Sequence, residues 1–162
     1  MIQTVSHYQA PNYSDCVTRA NFDDAELLME LRQDQLHLQE LITSVEASLN
    51  QRSTTDAVIA QLLNRLQRQL AWHFALEENL GYIEQVTLTA PRLTESLREL
   101  QLQHDELVEE LTEILRSATA VRRCSRGELV ERFAEFRARL RTHDQQENDL
   151  IMEAMYVDIG GG

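Results

Sequence analysis

Two histidines that are each followed by a glutamate four residues later are the features of this sequence best suited to chemistry. They are His73 with Glu77 and His143 with Glu147. In an α-helix, residues four apart lie one turn apart on the same face, with roughly 5 to 6 Å between their Cβ atoms. Both side chains of a pair can therefore converge on one bound ion. Because imidazole nitrogens and carboxylate oxygens are metal ligands, the two pairs predict a metal site.

Two single histidines extend this pattern. His104 lies near the centre of an apolar stripe at helical spacing, and His37 lies nearer the edge of another stripe, beside Leu41. A polar or charged group in an apolar core is costly unless it is hydrogen-bonded, paired or bound to a metal. The candidate metal ligands are His37, His73, Glu77, His104, His143 and Glu147.

Each of these histidines, taken alone, is more often a hydrogen-bonded core or boundary residue than a ligand. The four together are harder to explain in that way. If each had a chance of about one in three of facing inward, all four would do so in about one in a hundred sequences. His7 lies outside the helical segments, and we expect it at the surface.

Polar neighbours of the candidate ligands each allow two interpretations. Asp34 falls on the inner face of the first helix, where it would accept an imidazole N–H or form an ion pair near the helix start. Gln69 and Gln101 precede a candidate ligand by one turn, and they either support it or occupy boundary positions. Glu40 and Glu78 point away from the stripes, so we expect both in solvent unless one completes a coordination sphere.

Four segments with helical periodicity position these residues. Apolar residues recur at the helical period from Asp23 to Leu49, from Thr55 to about Thr87, from Pro91 to about Leu115, and from Ser125 towards the C-terminal glycines. Short connectors make successive helices antiparallel, so the sequence predicts an all-α, up-down-up-down four-helix bundle. We expect an irregular N-terminal arm at 1–22, the bundle at 23–159 and a glycine tail at 160–162.

The spacing of the histidines along the chain predicts their heights in this bundle. In antiparallel neighbours, residues at one height are equally far from the connector that joins their helices. The midpoints between successive histidines of the set fall in the three connectors, at Thr55, between Leu88 and Thr89, and between Arg123 and Cys124. We therefore expect the four imidazoles, one from each helix, to meet at one level of the bundle.

The composition narrows the classes of partner. The 162 residues include 27 acidic and 15 basic side chains, for a formal net charge of −12. Such a field repels nucleic-acid phosphates and anionic lipid headgroups, so we expect neither nucleic acid nor a membrane as partner. No segment approaches the roughly 20 consecutive apolar residues of a membrane span, and we expect no secretory signal. The two cysteines have no metal-binding spacing, which favours a cytoplasmic protein with reduced thiols.

Four imidazoles and two carboxylates divide naturally between two metals, each with two histidines, and with both glutamates as bridges. Nitrogen and oxygen ligation without thiolate suits iron or manganese, whereas zinc would fit but would be inert to redox chemistry. Such a pair of metals leaves coordination positions open for a small diatomic molecule or peroxide.

The order of these motifs resembles the hemerythrin-like, or HHE cation-binding, domains. The resemblance is carried over residues 24–156 by Asp34-Gln35-Leu36-His37, by His73-Phe74-Ala75-Leu76-Glu77-Glu78, by His104 and by His143-x-x-x-Glu147. It implies a non-haem centre of two iron ions with an oxo or hydroxo bridge. It also implies that Glu77 and Glu147 bridge the irons and that the four histidines are terminal ligands.

Two departures from the oxygen-carrying hemerythrins argue against reversible oxygen transport. Their third helix carries His-x-x-x-His, whereas here the residue four after His104 is Val108. Their last carboxylate is an Asp at the fifth position, whereas here Glu147 stands at the fourth. The ligand set is more similar to that of the repair-of-iron-centres proteins and of an iron-sensing ubiquitin-ligase adaptor.

Three functional hypotheses follow. In the first, a two-iron centre binds or reduces oxygen, peroxide or nitric oxide. If it reduces them, the protein is a peroxidase-like oxidoreductase that receives electrons from a protein redox partner. In the second, metal-dependent stability signals iron or oxygen status to a partner. In the third, the bundle binds no metal and is an interaction scaffold. Turnover separates the first two hypotheses, and metal analysis tests the third.

Overall fold

Four long helices make up the described part of the chain. A computed structural model describes residues 24–79, 90–120 and 124–157. The helices are α1 at Asp24–Asn50, α2 at Asp56–Asn79, α3 at Thr94–Thr119 and α4 at Arg126–Val157, with a 3₁₀ turn at Pro91–Leu93 directly before α3. The prediction of an all-α four-helix bundle is confirmed. The proposed arm at 1–22 and the glycine tail at 160–162 lie outside the described residues.

Each helix packs against the next one in sequence, and α1 also packs against α4, which closes the bundle. The contacts follow the antiparallel arrangement that short connectors require. Asp34, in the first half of α1, reaches His73 in the second half of α2. Arg139 of α4 pairs with Glu110 of α3 at 2.6 Å. Within the described ranges, none of these helices has a stretch long and apolar enough to cross a bilayer.

The interior contains a larger apolar cluster that draws on all four helices. Its fully buried members include Val45, Leu66, Leu111 and Phe136, one from each helix. Their spacing follows the apolar stripes of the sequence, since the helical period brings such positions to one face. Removing this surface from water is the main stabilising contribution to the fold.

A smaller apolar cluster lies beyond the histidines. It contains Ala90, Leu93, Leu97, Leu100, Leu150 and Ala154. Along α3, His104 stands between Leu100 of the smaller cluster and Leu107 of the larger one. Along α4, His143 stands in the same way between Leu140 and Leu150. The buried polar residues therefore form a layer between two apolar regions.

A capping box formed by Ser125 and Glu128 opens α4. Ser125 N–H donates to Glu128 Oε2 at 2.6 Å, and Glu128 N–H donates to Ser125 Oγ at 3.3 Å. The hydroxyl and backbone of Ser125 also hold the pKa of Glu128 below its usual value. Next to it, the Arg126 guanidinium donates to the carbonyls of Gln51 and Thr54 at 2.9 and 2.7 Å. This residue therefore ties α4 to the connector between α1 and α2.

Candidate metal centre

Three histidines meet in the interior, one each from α2, α3 and α4. His73, His104 and His143 are all buried, and the side chain of Glu77, one turn after His73, is 11% exposed. One ligand atom from each of Glu77, His104 and His143 lies within 4.8 Å of the others. This is close to the span of two metal–ligand bonds of roughly 2 Å each. We call His73, Glu77, His104 and His143 the histidine layer. They are four of the six predicted ligands.

The ring of His104 is held from behind by Glu78. Its Nδ1–H donates to Glu78 Oε1 at 2.9 Å, so Nε2 faces Glu77 Oε2 at 3.7 Å. A carboxylate that accepts from the far nitrogen fixes the ring and makes the other nitrogen a better metal ligand. Glu78 is exposed to solvent as expected, with 39% of its side chain accessible, but the sequence did not predict that it would also hold the ring of His104.

The ring of His143 is held in a similar way, by an amide. Its Nδ1–H donates to Gln103 Oε1 at 3.0 Å, while its Nε2 is buried and has no hydrogen-bond partner among the described residues. Burial and the charge of His104 lower the pKa of His143 to about 4, with Glu77 opposing them, so the ring is neutral at pH 7. Glu77 Oε2 is also buried and accepts no hydrogen bond within the part of the chain that the structure describes. Such groups are costly to leave unpaired, and a cation would satisfy both, so the residues present fit a metal ion.

His73 has both ring nitrogens engaged by carboxylates. Nδ1–H donates to Asp34 Oδ2 at 2.7 Å, and Nε2–H donates to Glu77 Oε1 at 2.8 Å. Burial alone would lower its pKa, but the hydrogen bonds and charges of Asp34 and Glu77 raise it to about 10. At pH 7, His73 is therefore positively charged and His143 is neutral, although both lie in the same layer.

Glu147 and Asp144 add acidic groups from α4. Burial, reinforced by the charge of Glu77 and opposed by that of His73, raises the pKa of Glu147 to about 7. Burial likewise raises the pKa of Asp144 to about 6, with His73 opposing. Because raised carboxyl pKa values mean that negative charge is poorly compensated, this region favours a bound cation.

Phe74 packs among the three imidazoles. Its ring stacks on His104 with 4.0 Å between centroids and 4° between planes. It meets His143 edge to face at 5.4 Å and lies 5.7 Å from His73. The ring is buried and belongs to the larger apolar cluster, so it shields the histidines from water on that side.

The structure does not bring His37 into the layer. Its side chain is 47% exposed, and its Nδ1 lies 3.8 Å from Glu40 Oε2 on the outer side of α1. The residue of α1 that reaches the histidines is Asp34, which is 8% exposed. The expected inward orientation of His37 is therefore corrected: the inner face of α1 runs through Asp34, Leu38 and Leu41. Its assignment as a ligand stays a prediction without a supporting contact.

Sequence reasoning anticipated some of the supporting residues and missed others. Asp34 on the inner face and Gln69 as a support are both found, because Gln69 Nε2 donates to Asp34 Oδ1. Gln103 rather than Gln101 supports a ring, and it lies one residue before His104 but acts on His143. No local spacing signals this contact, since it joins α3 to α4.

A groove of about 390 Å³ between α2 and α3 reaches the layer from outside. Phe74 and His104 form part of its wall, together with the small side chains Ala71 and Ala75. Among the described residues, its lining also includes three carboxylates, those of Glu78, Asp105 and Glu109, and one cation, Arg116. Small neutral molecules can therefore approach His104, while the excess of carboxylates disfavours anions.

Comparison with known families identifies the class of protein. The family model of the hemerythrin HHE cation binding domain matches residues 25–155, which is most of the chain. The chain therefore belongs to this family, and the resemblance inferred from its motifs is confirmed. It is a cation-binding domain, and its buried histidine and glutamate cluster is the candidate site. Neither a curated protein nor a solved structure matches the chain significantly.

Proposed function

We propose that this protein holds two iron ions in the histidine layer and binds or reduces a small neutral oxidant there, namely oxygen, peroxide or nitric oxide. The ligands in this proposal are His73, Glu77, His104, His143 and Glu147. The observation that carries it is a pair of buried atoms that have no hydrogen bond to any described residue, His143 Nε2 and Glu77 Oε2, with His104 Nε2 3.7 Å from that Glu77 oxygen. Similarity to the repair-of-iron-centres type stays a prediction.

The donor set favours iron over the alternatives. Imidazole and carboxylate ligands without thiolate suit iron or manganese, and zinc would fill the site without redox chemistry. Bound irons would supply the electrons and the open coordination positions that an oxidant needs. Multiple turnovers would require a reductant, and we propose that a protein redox partner supplies the electrons. We place both proteins in the cytoplasm, where a free thiol such as that of Cys124 stays reduced.

The protein's own residues prepare the site in three ways. Glu78 and Gln103 orient His104 and His143 so that Nε2 of each ring faces inward. Glu77 lies between His73 and His104, so its two oxygens can serve two metals. Phe74 excludes water on one side, which strengthens electrostatic interactions inside the layer.

Elemental analysis is the first test. The full chain, purified without added metal, should contain about two irons, and His104→Ala and Glu147→Ala should contain fewer. Gln145→Ala is the matched control, because this exposed residue lies on α4 between His143 and Glu147. The reduced protein is then mixed with peroxide or nitric oxide in a stopped-flow instrument. Iron-loaded protein that neither binds nor consumes these oxidants would contradict the proposed reaction.

A second function, metal sensing, is favoured by the raised carboxyl pKa values. Burial of Glu147 and Asp144 makes their charged forms costly in the metal-free protein, and a bound cation would relieve that cost. Occupancy would then change the stability of the bundle and signal iron status to a partner. Catalytic consumption of peroxide or nitric oxide supports the first function, whereas a large metal-dependent rise in Tm without turnover supports sensing.

A further inference from the structure

Helix α1 contributes to the histidine layer through a carboxylate and not through a histidine. Asp34 is buried, with its Oδ2 2.7 Å from His73 Nδ1. His37, almost one turn later, is exposed and lies beside Glu40. Three helices therefore place an imidazole in the layer, while the fourth places an anion behind one of those imidazoles.

Two hydrogen bonds fix the position of the Asp34 carboxylate. Its Oδ2 accepts from His73, and its Oδ1 accepts from the amide of Gln69, one turn before His73 on α2. Both oxygens of Asp34 thus accept hydrogen bonds, and Asp34 contacts His73 at Nδ1, whereas Glu77 contacts it at Nε2. The His73 ring, held at Nδ1, has its Nε2 directed at Glu77 Oε1 at 2.8 Å.

The two sides of the layer are therefore unequal. On one side, a carboxylate oxygen of Glu77 lies within 4.8 Å of ring nitrogens of His104 and His143, and Oε2 lies 3.7 Å from His104 Nε2. The Nδ1 atoms of these two rings are held by Glu78 and Gln103. On the other side, Glu77 Oε1 lies with one imidazole, His73, which is already hydrogen-bonded at both nitrogens. A metal on the first side meets atoms without hydrogen bonds, whereas a metal on the second side must displace the contact between His73 and Glu77.

We propose that Asp34 is a positioning residue for the metal at His73, and that the centre fills in order, with the side of Glu77, His104 and His143 occupied first. The inference rests on the metal centre proposed above. A carboxylate behind a ligating imidazole fixes the ring and raises its basicity, and losing such a partner typically weakens metal binding about 10- to 100-fold. That loss should fall on the second metal, because Asp34 contacts His73.

Anaerobic titration of the metal-free full chain with Mn²⁺ tests the inference, with calorimetry for affinity and electron paramagnetic resonance for free Mn²⁺. The wild-type protein should bind a first equivalent more tightly than a second. Asp34→Ala should weaken the second by about 10- to 100-fold and leave the first nearly unchanged. Asp34→Asn keeps an acceptor oxygen without the charge, so it should give an intermediate loss and serves if the alanine variant does not fold.

Two variants complete the design. His37→Ala tests whether α1 also supplies a histidine ligand, and it should leave both affinities unchanged because His37 faces outward beside Glu40. His104→Ala should weaken the first equivalent instead of the second. Two equal affinities in the wild type, equal losses of both in Asp34→Asn, or loss of a metal in His37→Ala would overturn the inference and leave the proposed centre standing. A wild-type protein that binds neither Mn²⁺ nor Fe²⁺ would overturn both.

Discussion

The larger apolar cluster and the histidine layer are both interior, but they contribute to the protein in opposite ways. The cluster joins all four helices through side chains such as Val45 and Phe136, which need no partner beyond close packing. The layer contains imidazole rings and a carboxylate whose hydrogen-bonding atoms are not all paired with described residues. The unpaired atoms include His143 Nε2 and Glu77 Oε2. The cluster stabilises the fold with or without a bound cation, whereas the layer gains its full stability only when a cation is bound.

Phe136→Ala tests the apolar side of this comparison and should have the largest effect. The ring is fully buried in α4, away from the histidines. Its removal should lower the free energy of unfolding by about 3 to 5 kcal/mol, with and without metal, because a cavity replaces packed atoms. Urea denaturation measures the loss. Metal content per folded molecule should stay at the wild-type value, and a parallel loss of metal would show that the two regions are coupled.

Glu147→Gln tests the polar side and should act with opposite signs on stability and on metal binding. Folding raises the pKa of Glu147 from 4.5 to about 7, so the folded chain holds this proton more tightly than the unfolded chain does. The resulting destabilisation therefore grows as pH rises from 4.5 to about 7 and is complete above that range.

At pH 8, the neutral glutamine should stabilise the metal-free protein by about 3 kcal/mol, while at pH 4 the difference should vanish. Thermal unfolding at both pH values measures it. His143, whose pKa is lowered to about 4, gives the reverse dependence between pH 6.5 and 4, so wild type and variant must be compared at each pH. If the variant is less stable than wild type at pH 8 without metal, the charged Glu147 carboxylate does not destabilise the metal-free protein and the prediction is wrong.

Fold and site were predictable from the sequence to different degrees. The apolar stripes predicted the four helices. Equal spacing from the connectors predicted that four imidazoles meet, and those of His73, His104 and His143 do, whereas that of His37 does not. Both inferences use only the helical period and the connector positions. The orientation of His37 was not predictable, because a residue at the edge of a stripe turns inward or outward according to how neighbouring helices pack.

Ser125→Ala tests the capping box at the start of α4, far from the histidine layer. About 18 residues of α4 separate it from His143, which is about 27 Å along the helix. Loss of the hydroxyl that accepts from Glu128 N–H should cost about 1 kcal/mol of stability. Metal affinity should be unchanged. Calorimetric unfolding and Mn²⁺ titration of the same sample check both parts, and weaker metal binding would show that the start of α4 influences the layer.

Ala71→Leu narrows the groove and should have the smallest energetic effect. Ala71 is exposed in the groove wall, so a leucine there fits without strain in the core. It should slow the binding of nitric oxide to the reduced, iron-loaded protein by a few-fold, with metal content and Tm close to wild type. Stopped-flow absorbance measures the rate. An unchanged rate would indicate that oxidants reach the layer by another route.

The sequence by itself determined which residues share a helix face and at what height, because backbone geometry repeats every 3.6 residues whatever surrounds it. It thereby determined the four-helix bundle and the meeting of three histidines with Glu77. Only the tertiary structure decided that Asp34 stands behind His73, that Glu78 and Gln103 hold the other two rings, and that His37 faces outward. These contacts join different helices, so they depend on how the helices rotate against one another and on which side-chain conformations remain once the apolar core is packed.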